Sequence, residues 1–346
     1  MKTPCKILML YEAGFKAKQI YIDQVPKLSK GFMRLGHDVR QISYTGTMSQ
    51  ISPFKSRKIN HRFYKEKTDE VVVEYAKQYN PDFIFIGFAR GLDKGTIQKI
   101  RDKVPTAILF GWDGDPWPEN NDGRIELGSA LDILFATNNG SFIEQYKQAG
   151  AKKCLFMPNL IDPDNDHRYQ VDARWQSNLL WTGKIQHQAG IDAGETSRQN
   201  LLRIFSLQEG CKIYGCLEFP QIGGLDYLHA ISGSKIGLSI NAINTVPLYH
   251  SDRFTHYSAC GTMVLAKRVP DTELLMQDKK HVCYFDSDEE CLDLTKWYLL
   301  HEDARMKIAN EGMQYCHDTY NSVQIAKYMC EVFERGQYEA PWGSFS

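Results

Sequence analysis

The stretch His250–Ala266, which reads HSDRFTHYSACGTMVLA, decides the fold. Ser251 or Asp252 can cap a helix that runs to about Cys260. Gly261 is suited to end that helix, because glycine readily adopts the left-handed conformation found just past helix ends. The apolar residues that follow predict a strand.

A strand and a loop are also predicted before this helix. Lys235–Asn241 (KIGLSIN) is a short apolar run, Ala242–Tyr249 is typical of a loop, and Thr262–Ala266 is the strand after the helix. Strand, loop, helix and strand in this order form one unit of a parallel α/β sheet. Ligands of such sheets bind outside the carboxyl ends of the strands, where this helix begins.

The first turn of the helix is predicted to bind a phosphate group. Its backbone N–H groups lack partners within the helix, and the helix dipole contributes about 0.3–1 kcal/mol to a bound anion. A charge-assisted hydrogen bond from Arg253 would add about 1.5–3 kcal/mol, so the side chain should dominate. The alternative is that Asp252 and Arg253 are surface residues and that Ser251 only caps the helix.

The composition is that of a globular protein. The 346 residues suffice for two domains, 42% of them are hydrophobic and 24% charged, and the formal net charge is −1. This balance gives no general electrostatic reason to bind nucleic acid. The nine cysteines form no CxxC pair or zinc-type cluster, which predicts reduced thiols, no bound metal and a cytoplasmic location.

The amino-terminal apolar run, Ile7–Tyr11, is too short for a signal peptide or a membrane span and predicts a first strand. No window reaches spanning length, which predicts a protein without a transmembrane segment. Peripheral contact with a membrane stays open.

Strands and helices alternate through the first half of the chain, which predicts a parallel sheet covered on both faces. The predicted strands are Lys6–Leu10, Val39–Ser43, Phe83–Gly87, Thr106–Trp112, Ile133–Ala136 and Cys154–Met157. The predicted helices are Tyr21–Leu35, Thr68–Tyr79, Lys94–Lys103, Arg124–Ala130 and Ser141–Gln148. The basic stretch Ser52–Arg62 is predicted to be irregular, either a solvated loop or a patch for an anionic acceptor.

The polar stretch Pro158–Trp175 is predicted to separate two domains, because it lacks periodicity and contains two prolines. The alternation then restarts in the second half. The predicted organisation is an amino-terminal domain (1–160), a linker (161–175), a carboxyl-terminal domain (176–322), and a last helix with an unstructured tail (323–346). Two doubly wound sheets facing each other across a cleft follow from this pattern. The absence of GxGxxG after the first strand and of GxxxxGK[ST] argues against a dehydrogenase or a P-loop NTPase.

The loop Trp112–Pro118 (WDGDPWP) is the candidate catalytic and acceptor site, since it follows a buried strand directly. Asp113 or Asp115 could act as a general base, because packing against an indole raises a carboxyl pKa. Trp112 and Trp117 offer flat faces to a sugar ring. Gly14, in the loop after the first strand, is a third acceptor-side candidate. The alternative is an aspartate turn stiffened by proline.

Other strand ends supply candidates for donor binding. Gly183 permits close backbone approach and Lys184 brings a point charge, with Arg198 at the start of the next helix. Tyr214 and Asn241 end strands on the same side and could line a base or sugar pocket. The alternative for Gly183 and Lys184 is a strand-end turn, and residues such as Tyr214 and Asn241 are more often core and turn residues.

The segment SDRFTHYSACGTMVLA resembles the SDR-x-F-E-A-x-A-C-G segment of the spore-maturation (CgeB-like) glycosyltransferases. Leu225–Asn241 and Cys283–Thr319 are similar to the flanking regions of that family. In the first half, the elements GHDV, WDGDPW and FMPNLIDPD resemble its GHxV, DDPW and P-x-G-x-D elements.

The resemblance implies a GT-B glycosyltransferase. Such an enzyme has two Rossmann-like domains, binds a nucleotide-sugar mainly in the second and needs no metal or other cofactor; its last helix crosses back to the first domain. The related families place a glutamate five residues before the glycine of ACG, where it can hold the nucleotide ribose. His256 occupies that position here and is the corresponding donor-binding candidate.

The sequence therefore predicts transfer of a sugar from a nucleotide-diphosphate donor to a hydroxyl acceptor that is a glycan, lipid-linked or protein-linked, as in polysaccharide biosynthesis. Arg253, Lys184 and the helix that begins near Ser251 would stabilise the departing diphosphate. Retention or inversion of the anomeric centre stays open. Two alternatives are a nucleotide-sugar epimerase on the same fold and a non-catalytic protein that binds glycans or nucleotides.

Overall fold

Two parallel β-sheets form the centre of the protein. The computed structural model describes residues 4–12, 21–54, 56–89, 91–114, 122–184 and 196–346. The first sheet has the order β2-β1-β3-β4-β5-β6 and the second the order β11-β10-β9-β7-β8. The first comprises β1 (Lys6–Tyr11), β2 (Asp38–Ser43), β3 (Phe83–Gly87), β4 (Ile108–Asp113), β5 (Ile133–Ala136) and β6 (Cys154–Phe156). The second comprises β7 (Ser177–Thr182), β8 (Cys211–Tyr214), β9 (Ser234–Ser239), β10 (Met263–Lys267) and β11 (Cys283–Phe285).

Helices cover both faces of each sheet. Those of the first half are α1 (Gln24–Arg34), α2 (Tyr44–Ile51), α3 (Arg57–Tyr79), α4 (Lys94–Lys103), α5 (Asp122–Ser129) and α6 (Ser141–Gln148). Those of the second half are α7 (Thr196–Ser206), α8 (Leu225–Ser232), α9 (Asp252–Ala259), α10 (Asp288–Leu300), α11 (Glu302–Thr319) and α12 (Ser322–Arg335). The predicted α/β fold of two doubly wound domains is confirmed.

Alternate side chains of β1 enter separate cores, since successive residues of a strand point to opposite faces. Ile7 and Met9 pack on the face that α1 covers, and Leu8 and Leu10 pack on the opposite face. The first of these cores continues without interruption into the second sheet, where it includes Leu180 of β7. The two sheets therefore share buried apolar surface.

The segment between the sheets is ordered and is held by α1. Asp162 accepts a hydrogen bond from Lys30 Nζ at 2.7 Å, and Asp166 accepts one from Lys27 Nζ at 2.7 Å. Asp164 pairs with Arg34. Lysine and arginine at positions 27, 30 and 34 lie on one helix face, because residues three and four apart are neighbours on a helix. This face of α1 fixes where the chain leaves the first domain.

The last helix returns to the first domain. The Phe333 ring on α12 stacks on Phe83 of β3 with ring centroids 4.4 Å apart. Gly31 of α1 lies so close to α12 that an added Cβ would meet the Ser322 carbonyl oxygen at 2.0 Å. α12 thus packs on the first domain, although the preceding helices belong to the second.

Two predictions about local structure are wrong. Residues 57–62, predicted to be irregular, are the first turns of α3, and α2 was not predicted. The tail, predicted to be unstructured, forms an antiparallel hairpin of β12 (Tyr338–Ala340) and β13 (Gly343–Phe345). The hairpin is stable here because Tyr338 and Trp342 are buried against the core of α12.

Within the described ranges, no helix combines the length and the apolar character needed to cross a membrane. All nine cysteines fall within these ranges, and none of them forms a disulfide.

Candidate functional site

A cavity of about 410 Å³ lies between the carboxyl ends of the two sheets. The first domain lines it with Ile22, Gln24, Val25, Phe85, Gly87, Trp112, Gly114 and Asn159. The second domain lines it with Thr182, Gly183, Tyr214, Gln221, Ile222, Tyr227, Ser251, Asp252 and Arg253. Both domains therefore contribute strand ends and a helix start to one site.

The cavity lies at the point where the strand order reverses in each sheet. In the first sheet, β1 lies between β2 and β3, and in the second, β7 lies between β8 and β9. The helix after each central strand (α1 after β1, α7 after β7) lies on the opposite face from the helix after one of its neighbours (α4 after β3, α9 after β9). This change of face opens a crevice at the strand ends. Gly87 ends β3 and Thr182 ends β7, and both line the cavity.

The start of α9 faces the cavity, as predicted from the sequence around Ser251. The Ser251 backbone N–H donates to Asn241 Oδ1 at 3.0 Å, which fixes the residue at the N-cap position. The Ser251 hydroxyl makes no cap bond, and its buried Oγ has no hydrogen-bond partner among the described residues. A buried hydroxyl without a partner is unfavourable, so the site gains if a ligand supplies one.

The Arg253 guanidinium lies across the ends of two strands. It donates to the carbonyl oxygens of Thr182 at 3.2 Å and Ile240 at 2.8 Å, and it lies 4.1 Å from the centroid of the Trp181 ring. Its Nε, which is buried, has no partner among the residues described. Since a guanidinium has five N–H donors, these bonds leave donors for a ligand.

The charge around Arg253 favours an anion. Burial lowers the pKa of Arg253, and the positive charge of Arg198 on α7 lowers it further, against the raising effect of nearby tyrosines. In the described part of the chain, no carboxylate lies within ion-pair distance of Arg253. A half-buried cation without a carboxylate partner is unfavourable, and a phosphate would supply the missing charge.

Two glycines allow this arrangement. Gly183 has φ +147°, and a Cβ added there would meet Arg253 Nη1 at 2.8 Å. Gly215, after β8, has φ +91°, and its added Cβ would meet the Gly183 carbonyl oxygen at 2.8 Å. The backbone therefore packs under the guanidinium in a way that a larger residue would disturb.

Asp113, one of the two candidate general bases, does not reach the cavity. The side chain is 3% exposed and lies outside the cavity wall. Its Oδ2 accepts hydrogen bonds from Arg124 Nε at 2.7 Å and from the Tyr146 hydroxyl at 2.5 Å, and its Oδ1 pairs with Arg124. Both oxygens are thus occupied by groups from α5 and α6, so the carboxylate holds these helices to β4.

Four donor-side candidates lie away from the cavity wall, and one of them, Arg198 on α7, is 5% exposed. Both polar groups of the Asn241 side chain bond to the backbone. Its amide nitrogen donates to the Tyr249 carbonyl oxygen, and its amide oxygen accepts from the Ser251 N–H. His256 is fully buried, with Nε2 2.9 Å from Lys27 Nζ. Lys184 is exposed, at the end of a described range. Asn241 and His256 therefore support the cavity from behind and do not line it.

The remaining candidates divide into two groups. Trp112 and Tyr214 line the cavity, and the Trp112 ring is fixed by a hydrogen bond from its Nε1 to Thr137 Oγ1 at 2.9 Å. Gly14, Asp115 and Trp117 lie outside the described residues.

Several cavity residues were not predicted, among them Gln24, Asn159 and Tyr227. Gln24, at the start of α1, accepts a hydrogen bond from the Leu160 N–H and donates to Asp252 Oδ1, both at 3.0 Å. Asn159 donates to the His250 carbonyl at 2.9 Å, and Tyr227 also lines the wall. Asn159 follows β6 closely, so the same strand-end rule that selected Tyr214 could have found it, whereas Gln24 lies thirteen residues after the end of β1.

The sequence from 198 to 331 matches a protein-family model described as glycosyl transferase-like. A comparison with curated protein sequences gives no match. The match extends from α7 to α12 and includes Ser251 and Arg253.

Solved structures share the fold over nearly the whole chain. Sucrose-phosphate synthase from Thermosynechococcus elongatus has a TM-score of 0.64 and 13% identity, with 96% of this chain and 98% of that chain covered. HepE from Anabaena, crystallised in complex with UDP and glucose, has a TM-score of 0.59 and 14% identity, with 95% and 99% covered. A Listeria monocytogenes protein assigned as a UDP-N-acetylglucosamine 2-epimerase has a TM-score of 0.55 and 11% identity, with 96% and 97% covered.

The family match confirms the prediction of a glycosyltransferase, and the shared architecture confirms the GT-B fold. The chain thus has the GT-B fold, and its residues 198–331 match the glycosyl transferase-like family model.

Proposed function

We propose that the interdomain cavity binds a nucleotide-diphosphate sugar and that the enzyme transfers the sugar to a hydroxyl acceptor without a bound metal ion. The observation that carries this proposal is the half-buried Arg253 guanidinium at the start of α9, inside the cavity and without a carboxylate partner among the described residues. The structural neighbour HepE was crystallised with UDP and glucose, so UDP is the first diphosphate to test.

The diphosphate would lie against the first turn of α9. There it meets the helix N–H groups, the Ser251 hydroxyl and the free N–H donors of Arg253. The nucleoside would lie along Tyr214 and Ile222, which line the same wall. Trp112 and Gly114, across the cleft, leave room for the acceptor, and an added Cβ at Gly114 would meet nothing within 4 Å.

These groups would lower the barrier by stabilising the leaving group. Negative charge on the diphosphate grows as the glycosidic bond breaks, and donors already fixed in place stabilise that charge without reorganising. Arg253 is fixed by its bonds to two carbonyl oxygens, and Ser251 by its bond to Asn241. If the reaction inverts the anomeric centre, Asp115 is the remaining candidate for the base in the WDGDPW loop.

Two finer assignments belong to the same proposal. The SDRFTHYSACG segment supports membership of the CgeB-like spore-maturation glycosyltransferases. The nine cysteines without disulfides support a reducing compartment, and we place the enzyme in the cytoplasm on that ground.

Calorimetry with UDP, GDP, ADP and TDP tests donor binding, and a matching series of nucleotide-sugars tests turnover. We expect one diphosphate to bind and its sugar derivative to be transferred, or slowly hydrolysed, with release of that diphosphate. If no nucleoside diphosphate binds to the folded protein, the proposal is wrong, and a non-catalytic role in glycan binding is favoured.

The epimerase alternative has one supporting observation, the Listeria monocytogenes neighbour. Incubation of UDP-N-acetylglucosamine without acceptor separates the two reactions. An epimerase changes the configuration of the sugar and leaves the nucleotide attached, whereas a transferase leaves the configuration of the donor unchanged.

A further inference from the structure

Helix α3 carries a row of apolar side chains that the fold leaves uncovered. Ile59, Phe63, Val71 and Tyr75 are 38%, 67%, 44% and 40% exposed. With Lys67 between Phe63 and Val71, they follow one another at intervals of four residues. Rows of residues four apart are the ridges that most often pack between helices. We call Ile59, Phe63, Lys67, Val71 and Tyr75 the apolar row.

A second row, which we call the charged row, runs beside the apolar row. It consists of Lys58, Arg62, Glu66, Glu70 and Glu74, all of them exposed. Its first two members are positive and its last three negative, so the charge changes sign near the middle of the helix. The 23 residues of α3 span about 35 Å at a rise of 1.5 Å per residue.

We propose that α3 pairs with α3 of a second copy of this chain, antiparallel and around a two-fold axis near Lys67. In this register, Phe63 of one copy meets Val71 of the other, and Ile59 meets Tyr75. The charged rows of the two copies also lie side by side and run antiparallel. Lys58 then lies opposite Glu74, and Arg62 lies opposite Glu70.

The change of sign along α3 selects this occupant. An antiparallel copy places positive against negative at both ends of the helix, whereas a parallel copy would place like charges together. An anionic membrane surface would attract Lys58 and Arg62 but repel Glu66, Glu70 and Glu74. At the axis, each Lys67 has Glu66 of both copies within reach, so the centre carries no net charge.

The paired helices leave the active-site cleft open. α3 packs against α2 and α4 on one face of the first sheet, whereas the cavity lies at the carboxyl ends of the strands. The contact is small for a stable dimer, because stable interfaces bury about 1,200–2,000 Å² and one helix pair covers less. We therefore expect a reversible dimer with a dissociation constant of about 10 µM.

Sedimentation velocity across a concentration series tests the pairing. The wild-type chain should change from monomer to dimer between about 1 and 100 µM. Phe63→Glu should raise the dissociation constant at least about tenfold, since it places a carboxylate in the apolar row. Leu300→Glu is the matched control, because Leu300 is 82% exposed on α10 and should leave the dimer unchanged.

Charge exchange gives the sharper test. The variant Lys58→Glu/Arg62→Glu has a negative charged row throughout, and Glu70→Lys/Glu74→Lys has a positive one. Neither should dimerise alone, and an equimolar mixture of the two should form a one-to-one dimer.

The proposal is overturned if the wild-type chain stays monomeric up to about 100 µM, if Phe63→Glu dimerises like the wild type, or if the two charge variants do not pair. It is equally overturned if the chain stays monomeric but sediments with phosphatidylglycerol vesicles, and Phe63→Glu abolishes that sedimentation. Circular dichroism of each variant separates loss of pairing from loss of folding.

Discussion

The ammonium group of Lys27, on α1 of the first domain, lies 2.9 Å from Nε2 of His256, on α9 of the second domain. Because an ammonium group can only donate, Nε2 is the acceptor, and the ring proton is on Nδ1, 3.2 Å from the Tyr227 hydroxyl. Lys27 also pairs with Asp166. Residues of both domains and of the segment between them thus meet in one buried group behind the cavity.

This group makes the stability of the protein depend on pH. Burial and the charge of Lys27 lower the pKa of His256 from 6.5 to about 3. Between these values the unfolded chain binds a proton that the folded chain excludes, so the free energy of unfolding decreases as the pH falls below 6.5. One such proton contributes about 1.4 kcal/mol per pH unit, or about 2 kcal/mol between pH 6.5 and 5. Urea denaturation at pH 6.5 and at pH 5 should show a smaller decrease in the free energy of unfolding for His256→Gln than for the wild type.

His301→Gln is the control for this experiment, since His301 is exposed at the end of α10. It should lose as much stability on acidification as the wild type. Burial also lowers the pKa of His250, to about 4, and the pKa values of His37 and His281. These histidines contribute to the pH dependence of the wild type, so His256→Gln should retain part of it. If the free energy of unfolding decreases equally with pH in the wild type and in His256→Gln, His256 is not held neutral in the folded protein.

The sequence predicts the strands, most helices and the position of the cavity, because these depend on local periodicity and on the direction of parallel strands. Phe83–Gly87 and Lys94–Lys103 have the predicted bounds. The start of α3 was not predicted, since its first turns expose Ile59 and Phe63 to solvent and lack an amphipathic pattern. Periodicity identifies a helix only where one of its faces is buried.

The roles of individual side chains were harder to predict than their positions. Asp113 ends a strand beside the cavity, but its carboxylate bonds to Arg124 and Tyr146 and does not line the cavity. His256 follows Arg253 by less than one helical turn, but its partner Lys27 is 229 positions distant in the chain. Such contacts depend on how helices from distant parts of the sequence pack, which no local pattern contains.

Asp113→Asn should destabilise the protein. The substitution removes the negative charge that pairs with Arg124, whose side chain is 20% exposed. Loss of one partner of a buried ion pair costs about 3 kcal/mol. Denaturation in urea should therefore show a lower midpoint, and Arg124→Ala should show a similar loss. A general base would behave differently, since its loss would lower turnover and leave the unfolding midpoint unchanged.

Arg253→Ala should weaken binding of the nucleoside diphosphate by about ten- to a hundredfold, as expected for loss of a charge-assisted hydrogen bond. The Thr182 and Ile240 carbonyls also lose their donor, so stability should fall by about 1–3 kcal/mol. Calorimetry on the folded variant measures the first effect and denaturation the second. Arg174→Ala, which removes an exposed guanidinium, should change neither, and unchanged affinity in folded Arg253→Ala would remove Arg253 from the site.

Gly183→Ala tests whether the position of the Arg253 guanidinium matters for binding, with the charge left in place. The added Cβ would meet Nη1 at 2.8 Å, so the guanidinium must move and its bond to the Thr182 carbonyl must lengthen. We expect the affinity for the diphosphate to fall by about tenfold, equivalent to about 1.4 kcal/mol. Gly150→Ala is the control, because Gly150 also has a positive φ, +94°, but no atom lies within 4 Å of its added Cβ. Both variants should lose about 1 kcal/mol of stability through backbone strain, and only Gly183→Ala should lose affinity. Equal affinities in calorimetry would mean that the diphosphate does not depend on where this guanidinium lies.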